Sequence, residues 1–179
     1  MAAPGTLDLR SYIRDIRDYP KPGIVFRDVT PVFLEPEALE HAVSLLALWA
    51  SEQEVDYVVA AEARGFVLGG AIATRIGAGF IPARKPGKLP GEVTSVEYAL
   101  EYGVDALEVH RDALGGGARV LVHDDLIATG GTAEALCHLV EDAGAVVVGC
   151  AFLVELAFLG GRARLGDRPI HSLVVYDSE

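Results

Sequence analysis

The chain has only two cysteines, Cys137 and Cys150, and they form no C-x-x-C pair. Both stand in apolar surroundings, where a buried free thiol is the plain expectation and no disulfide framework is implied. Basic residues are also scarce: 15 Lys and Arg face 26 Asp and Glu, a net charge of −11. A field of that sign argues against a nucleic-acid partner held by phosphate neutralisation, so local basic clusters are read as pockets for small anions. No stretch is long and apolar enough to cross a bilayer, and residues 1–9 lack the basic segment and apolar run of a secretory signal. With nothing pointing to an oxidising compartment or a membrane, a cytoplasmic location is expected.

Linkers are missing too. No Ser/Gly-rich or charge-dense stretch divides the 179 residues into halves of different composition, so a single domain over residues 1–179 is expected. At 51% hydrophobic and 23% charged residues, the chain has enough apolar side chain to bury a core.

Periodicity supplies the elements. A short amphipathic stretch at 9–18, preceded by Asp8, predicts a helix that ends at the turn Tyr19-Pro20-Lys21-Pro22-Gly23. A second helix is expected from Pro36 to about Glu52, with Leu39, Val43, Leu46 and Ala50 on its apolar face. The apolar run 57–61 predicts a buried strand, 66–76 a helix and 80–83 a further strand. Residues 85–103 turn polar and carry Pro86, Gly87, Pro90 and Gly91, which fits a mobile loop or a hairpin. A strand at 119–122, a helix from Thr132, and strands at 146–153 and 172–176 complete the pattern. Strands separated by helices predict an α/β fold, a mainly parallel twisted sheet with helices on both faces, whose sites form beyond the carboxyl ends of the strands.

The most informative stretch is Val120-Leu121-Val122-His123-Asp124-Asp125-Leu126-Ile127-Ala128-Thr129-Gly130-Gly131-Thr132. A strand delivers adjacent carboxylates, Asp124 and Asp125, to the sheet edge, where a carboxylate accepts hydrogen bonds from a ribose diol. Ala128, Thr129, Gly130, Gly131 and Thr132 then let backbone amides approach an anion at a helix N-terminus. Carboxylates for a sugar beside a nest for a phosphate describe a ribose 5-phosphate site. A Walker A loop is excluded by the missing lysine, and a dinucleotide fingerprint by the missing G-x-G-x-x-G. The histidines are too scattered for a catalytic metal centre, so no direct protein-held metal is expected.

These thirteen residues resemble the 5-phosphoribosyl 1-diphosphate (PRPP) signature of the type I phosphoribosyltransferases. Over about residues 7–176 the chain is similar to the adenine phosphoribosyltransferase family within that group. Pro20-Lys21-Pro22-Gly23-Ile24-Val25-Phe26-Arg27-Asp28 looks like the adenine-pocket segment, Glu62-Ala63-Arg64-Gly65-Phe66 like the pyrophosphate loop, and Leu100-Glu101-Tyr102-Gly103 like the catalytic lid. The resemblance implies a type I phosphoribosyltransferase fold with a small N-terminal hood over residues 1–35, a flexible catalytic loop at 85–103, and a homodimer. It implies a purine-salvage reaction of PRPP with adenine that yields AMP and pyrophosphate, with Mg²⁺ carried by the diphosphate.

Roles follow from the same resemblance. Phe26 would stack on the purine while backbone groups around Val25 and Arg27 read its edge; taken alone, Phe26 is equally a core residue. Glu62, Ala63 and Arg64 would hold the diphosphate, with a non-prolyl cis peptide near Glu62-Ala63. Arg84, Lys85 and Lys88 would extend the clamp, in part across a subunit boundary. Displacement at the anomeric carbon builds oxocarbenium character, so Asp124 and Asp125 would hold the ribose and screen its charge. Glu101 would transfer a proton with the purine and Tyr102 would cover the closed site. His123 replaces an apolar residue usual in the family. Strand alternation sets it on the face opposite Asp124, as a partly buried structural or interface histidine. Transfer to another purine base, or a non-catalytic PRPP-sensing regulator, are the competing readings; the chain lacks the basic patch of a DNA-binding regulator.

Overall fold

The computed structural model describes residues 7–99 and 104–179. It opens with a 3-10 turn, Leu9–Tyr12, in which the Asp8 side chain accepts from the Arg10 amide at 3.1 Å. Strand β1 (Arg14–Arg17) follows and pairs antiparallel with β2 (Val25–Asp28), Arg14 opposite Asp28 and Arg17 opposite Val25. The helix expected over 9–18 is therefore not formed. The turn after Asp18 folds β2 back alongside, the Gly23 amide donating to the Asp18 carboxylate at 2.8 Å. The ladder then takes the backbone groups that a helix would have used. Leu9 and Ile13 are buried but Ile16 is exposed, so the helix-like spacing of these residues is not one buried stripe.

A short helix α1 (Thr30–Leu34) leads into α2 (Pro36–Ser51), which starts at proline as expected. Glu35 between them is extended, the conformation that a following proline favours. Strand β3 (Tyr57–Ala61), helix α3 (Gly65–Ile76) and strand β4 (Gly79–Ala83) match their periodicities. In the polar segment the structure takes the hairpin alternative: β5 (Val93–Ala99) pairs antiparallel with β6 (Val104–His110). Its base is fastened to the end of β4, with the backbones of Arg84 and Glu108 exchanging hydrogen bonds of 2.9 and 2.7 Å. Strand β7 (Arg119–Ile127), helix α4 (Gly131–Asp142), strand β8 (Val146–Leu156), 3-10 turns Ala157–Leu159 and Gly161–Leu165, and strand β9 (Ile170–Tyr176) complete the chain.

The main sheet has the order β4-β3-β7-β8-β9 and every neighbouring pair is parallel. One face carries α1, α2 and α3 over Leu46, Leu68, Ile72, Leu121, Leu153 and Val174. The other carries α4 and the hairpin over Val59, Leu107, Val122, Leu136 and Phe152. Alternation along β7 sends Leu121 to the first layer and Val120 and Val122 to the second. The strands run onward in opposite directions from the centre: β3 connects through α3 to β4, and β7 connects through α4 to β8. Between the carboxyl ends of β3 and β7 the connections part to opposite faces, which opens a crevice at the topological switch point. Cys137 and Cys150 are buried free thiols with sulfurs 3.8 Å apart. Among the described residues no helix is long and apolar enough to cross a membrane.

Candidate active site

Both walls of that crevice come from strand ends. After β3, Glu62, Ala63 and Arg64 lead into α3, and the Glu62–Ala63 peptide is cis, as the family resemblance implies. After Val122, β7 carries Asp124 and Asp125. It is longer than its apolar run suggested, because the β8 ladder pairs His123 with Ala151, Asp124 with Phe152 and Ile127 with Glu155.

Arg64 joins the walls. Its Nε donates to Asp125 Oδ2 at 2.6 Å, and Asp125 is only 5% exposed. Burial opposes the charge on Arg64, yet the hydrogen bond and charge of Asp125, with the charges of Asp124 and Asp28, raise its pKa. Asp124 behaves oppositely to a solvated carboxylate. Burial and the neighbouring Asp125 charge push it well above the usual range, although its Oδ1 accepts from the Asp125 amide at 2.9 Å. A cleft of about 240 Å³ is lined by Arg64, Asp124, Asp125 and the loop Ala128, Thr129, Gly130, with Gly131 and Thr132 where α4 begins. First-turn amides of a helix have no intrahelical acceptor and favour an anion, so this end of the cleft suits phosphate. Gly130 has φ +84°, and a Cβ there would meet the Gly161 backbone, 3.0 Å from its carbonyl carbon.

The β1–β2 ribbon brings the aromatic residue to the same place. The Phe26 ring lies 5.6 Å from the Arg64 guanidinium and packs edge-on against Tyr19 at 5.3 Å. Arg27 turns elsewhere: its side chain is buried, paired with Asp15 and stacked 4.2 Å from the Tyr176 ring. Only its backbone remains for recognition in the β2 ribbon, beside the half-buried Val25.

The basic cluster is not three free cations. Arg84 Nε donates to Glu62 Oε2 at 2.8 Å, and Lys85 is paired with Asp105. Lys88 is exposed, and its carbonyl accepts from Arg84 at 3.4 Å. Acidic groups on the β3 loop and on the hairpin, distant in sequence, draw in two of the three charges. Glu101 and Tyr102 lie outside the described residues.

His123 is fully buried rather than partly so. Its Nδ1 lies 2.8 Å from the Ala151 carbonyl oxygen, Nε2 has no hydrogen-bond partner among the described residues, and Gly69 of α3 sits against its ring. Burial depresses its pKa to about 4, against the opposing influence of the Ala151 carbonyl and Asp125. Glu155, not among the residues expected at the site, is a buried carboxylate at the end of β8 that faces the last residue of β7. A lone charge in an otherwise apolar strand was the available signal.

The phosphoribosyl transferase domain family matches residues 33–171. A curated adenine phosphoribosyltransferase from Nostoc punctiforme is 53% identical over 172 residues, covering 95% of this chain and all of the relative. The crystal structure of adenine phosphoribosyltransferase from Thermoanaerobacter pseudethanolicus superposes with a TM-score of 0.91 at 48% identity, over 94% of this chain and 98% of that one. The enzyme from Saccharomyces cerevisiae, crystallised with an imino-altritol bisphosphate and adenine, gives 0.88 at 38% identity over 92% and 96%. A domain match over most of the chain, and near-complete alignment with relatives of one kind, place this chain in the adenine phosphoribosyltransferase family.

Proposed function

We propose that the chain transfers the 5-phosphoribosyl group of PRPP to adenine, producing AMP and pyrophosphate for purine salvage. The observation that carries this reading is the contact line from Phe26 through Arg64 to Asp125, which joins a purine-stacking ring to a sugar-binding carboxylate through one guanidinium. The 5′-phosphate is received by the loop amides and hydroxyls of residues 128–132, and the ribose diol by Asp124 and Asp125. Diphosphate lies along Glu62, Ala63 and Arg64, with Arg84, Lys85 and Lys88 at the outer rim.

As the anomeric carbon loses its diphosphate, positive charge grows on the ribose and negative charge on the leaving group. The aspartates screen the first and Arg64 the second, so the fixed charges already match the transition state. Beside the cleft, Asp125 is already tied to Arg64, and burial with the Asp125 charge raises the pKa of Asp124. That donor set fits a hard cation bound mainly by diphosphate oxygens, and Mg²⁺ there would neutralise leaving-group charge. Glu101 exchanges a proton with the purine and Tyr102 covers the closed site. Phe26 stacks on adenine while the backbone at Val25 and Arg27 reads its edge. A cytoplasmic homodimer completes the reading, the partner subunit supplementing the outer clamp.

Stoichiometric AMP and pyrophosphate from PRPP, Mg²⁺ and adenine test the reaction. Phe26→Ala tests the pocket: loss of a stack worth about 1 kcal/mol raises KM for adenine by roughly five- to tenfold and leaves KM for PRPP unchanged. An unaltered KM for adenine removes the ring from the base site.

A further inference from the structure

We propose that Gly161 and Arg162 are positioning residues for the phosphate loop, holding its amides in the anion-binding arrangement before substrate arrives; this rests on the PRPP reading above. The 3-10 turn Gly161–Leu165 packs directly on residues 128–130. A Cβ at Gly161 would fall on the Ala128 carbonyl oxygen, 2.8 Å from the Gly130 nitrogen and 2.9 Å from the Thr129 carbonyl carbon. Two backbones thus touch without a side chain between them, and any atom added to either displaces the loop.

What holds the turn there is an ion pair between the half-exposed Arg162 and the buried Glu155. Arg162 forks onto Glu155, Nε to Oε1 at 3.0 Å and Nη2 to Oε2 at 2.6 Å, and Ser172 Oγ donates to the same Oε2 at 2.6 Å. Glu155 is 4% exposed in a strand that is otherwise apolar, so its charge is tolerated only with such partners. It faces Ile127, the residue from which the phosphate loop departs. On the far side of the loop, Arg164 Nη1 donates to Glu134 Oε2 at 2.9 Å in the first turn of α4. Leu165 is fully buried and ends the turn. The turn is therefore fastened to β8, the ladder partner of the strand that launches the loop, and to the helix that receives it. Holding amides in place in advance removes an ordering cost from phosphate binding.

The test is steady-state kinetics of Gly161→Ala and Arg162→Lys beside the wild-type chain, with thermal unfolding of each. Gly161→Ala is expected to raise KM for PRPP by about tenfold while kcat and KM for adenine stay within about twofold, because a displaced loop weakens phosphate binding rather than the chemistry. Arg162→Lys keeps the charge but loses the fork, so a rise of about threefold in the same constant is expected. If Gly161→Ala does not fold, Arg162→Lys decides alone. A lowered unfolding temperature with KM for PRPP unchanged makes the turn merely structural and overturns the proposal, as does a fall in kcat alone. A wild-type chain silent toward PRPP removes the functional reading, and this proposal with it.

Discussion

Asp125→Asn is expected to lower kcat/KM for PRPP by roughly 10²-fold while thermal stability changes little; a loss of about 3 kcal/mol in charged hydrogen bonding is the source. Asparagine has the same shape and still offers an oxygen to Arg64 Nε, now 2.6 Å from the carboxylate. Charge is what disappears. The ribose diol loses an ionised acceptor, the developing positive charge loses a screen, and Arg64 loses the partner that aims it. Arg64 is about half exposed, so water replaces part of the ion pair and the fold is spared. A second consequence concerns pH. Burial and then the Asp125 charge hold Asp124 above the normal range, so removing that charge lets Asp124 ionise at lower pH. The acid limb of kcat/KM should move downward in the variant. A rate within about threefold of wild type, at equal affinity for PRPP, would take Asp125 out of the sugar site.

His123→Leu is expected to reduce the sensitivity of the fold to acid. The folded histidine has its pKa depressed to about 4, below the ordinary 6.5. Between those values the unfolded chain binds the proton more readily, so stability is fully present above pH 6.5 and declines as pH falls toward 4. The loss reaches about 3 kcal/mol at pH 4, taking 1.36 kcal/mol per pH unit. Asp124 contributes in the opposite sense: its raised pKa makes the folded state the better proton binder above the ordinary carboxylate range. The informative quantity is therefore the stability difference between wild type and His123→Leu, measured by urea unfolding at pH 7 and pH 4. The variant is expected to gain about 3 kcal/mol relative to wild type over that interval. A constant difference would mean that the imidazole titrates normally, at odds with its full burial and unpaired Nε2.

Legibility followed the range of the interactions. The phosphate loop was readable because its carboxylates, small residues and helix start are contiguous from Val120 to Thr132. Helices α2 and α3 were readable from their apolar stripes, and β3, β4 and β8 from their apolar runs. Residues 9–18 misled because Leu9, Ile13 and Ile16 have helical spacing, whereas the ladder from β2 is a contact that no local period reveals. The basic cluster misled in a similar way: Glu62 and Asp105 approach Arg84 and Lys85 only in three dimensions. Strand alternation put His123 on the right face, but its full burial depends on how closely α3 packs over the sheet. Contacts such as Phe26 to Arg64 and Arg162 to Glu155 lie outside any single sequence window.

Transfer to adenine is tested by pyrophosphate release from the purified chain with PRPP and Mg²⁺, run side by side with adenine, hypoxanthine, guanine and no base. Release is expected with adenine and only background with the other three. Release with hypoxanthine or guanine in place of adenine would contradict the assignment of the base pocket, and silence with every base would contradict the transfer reaction itself.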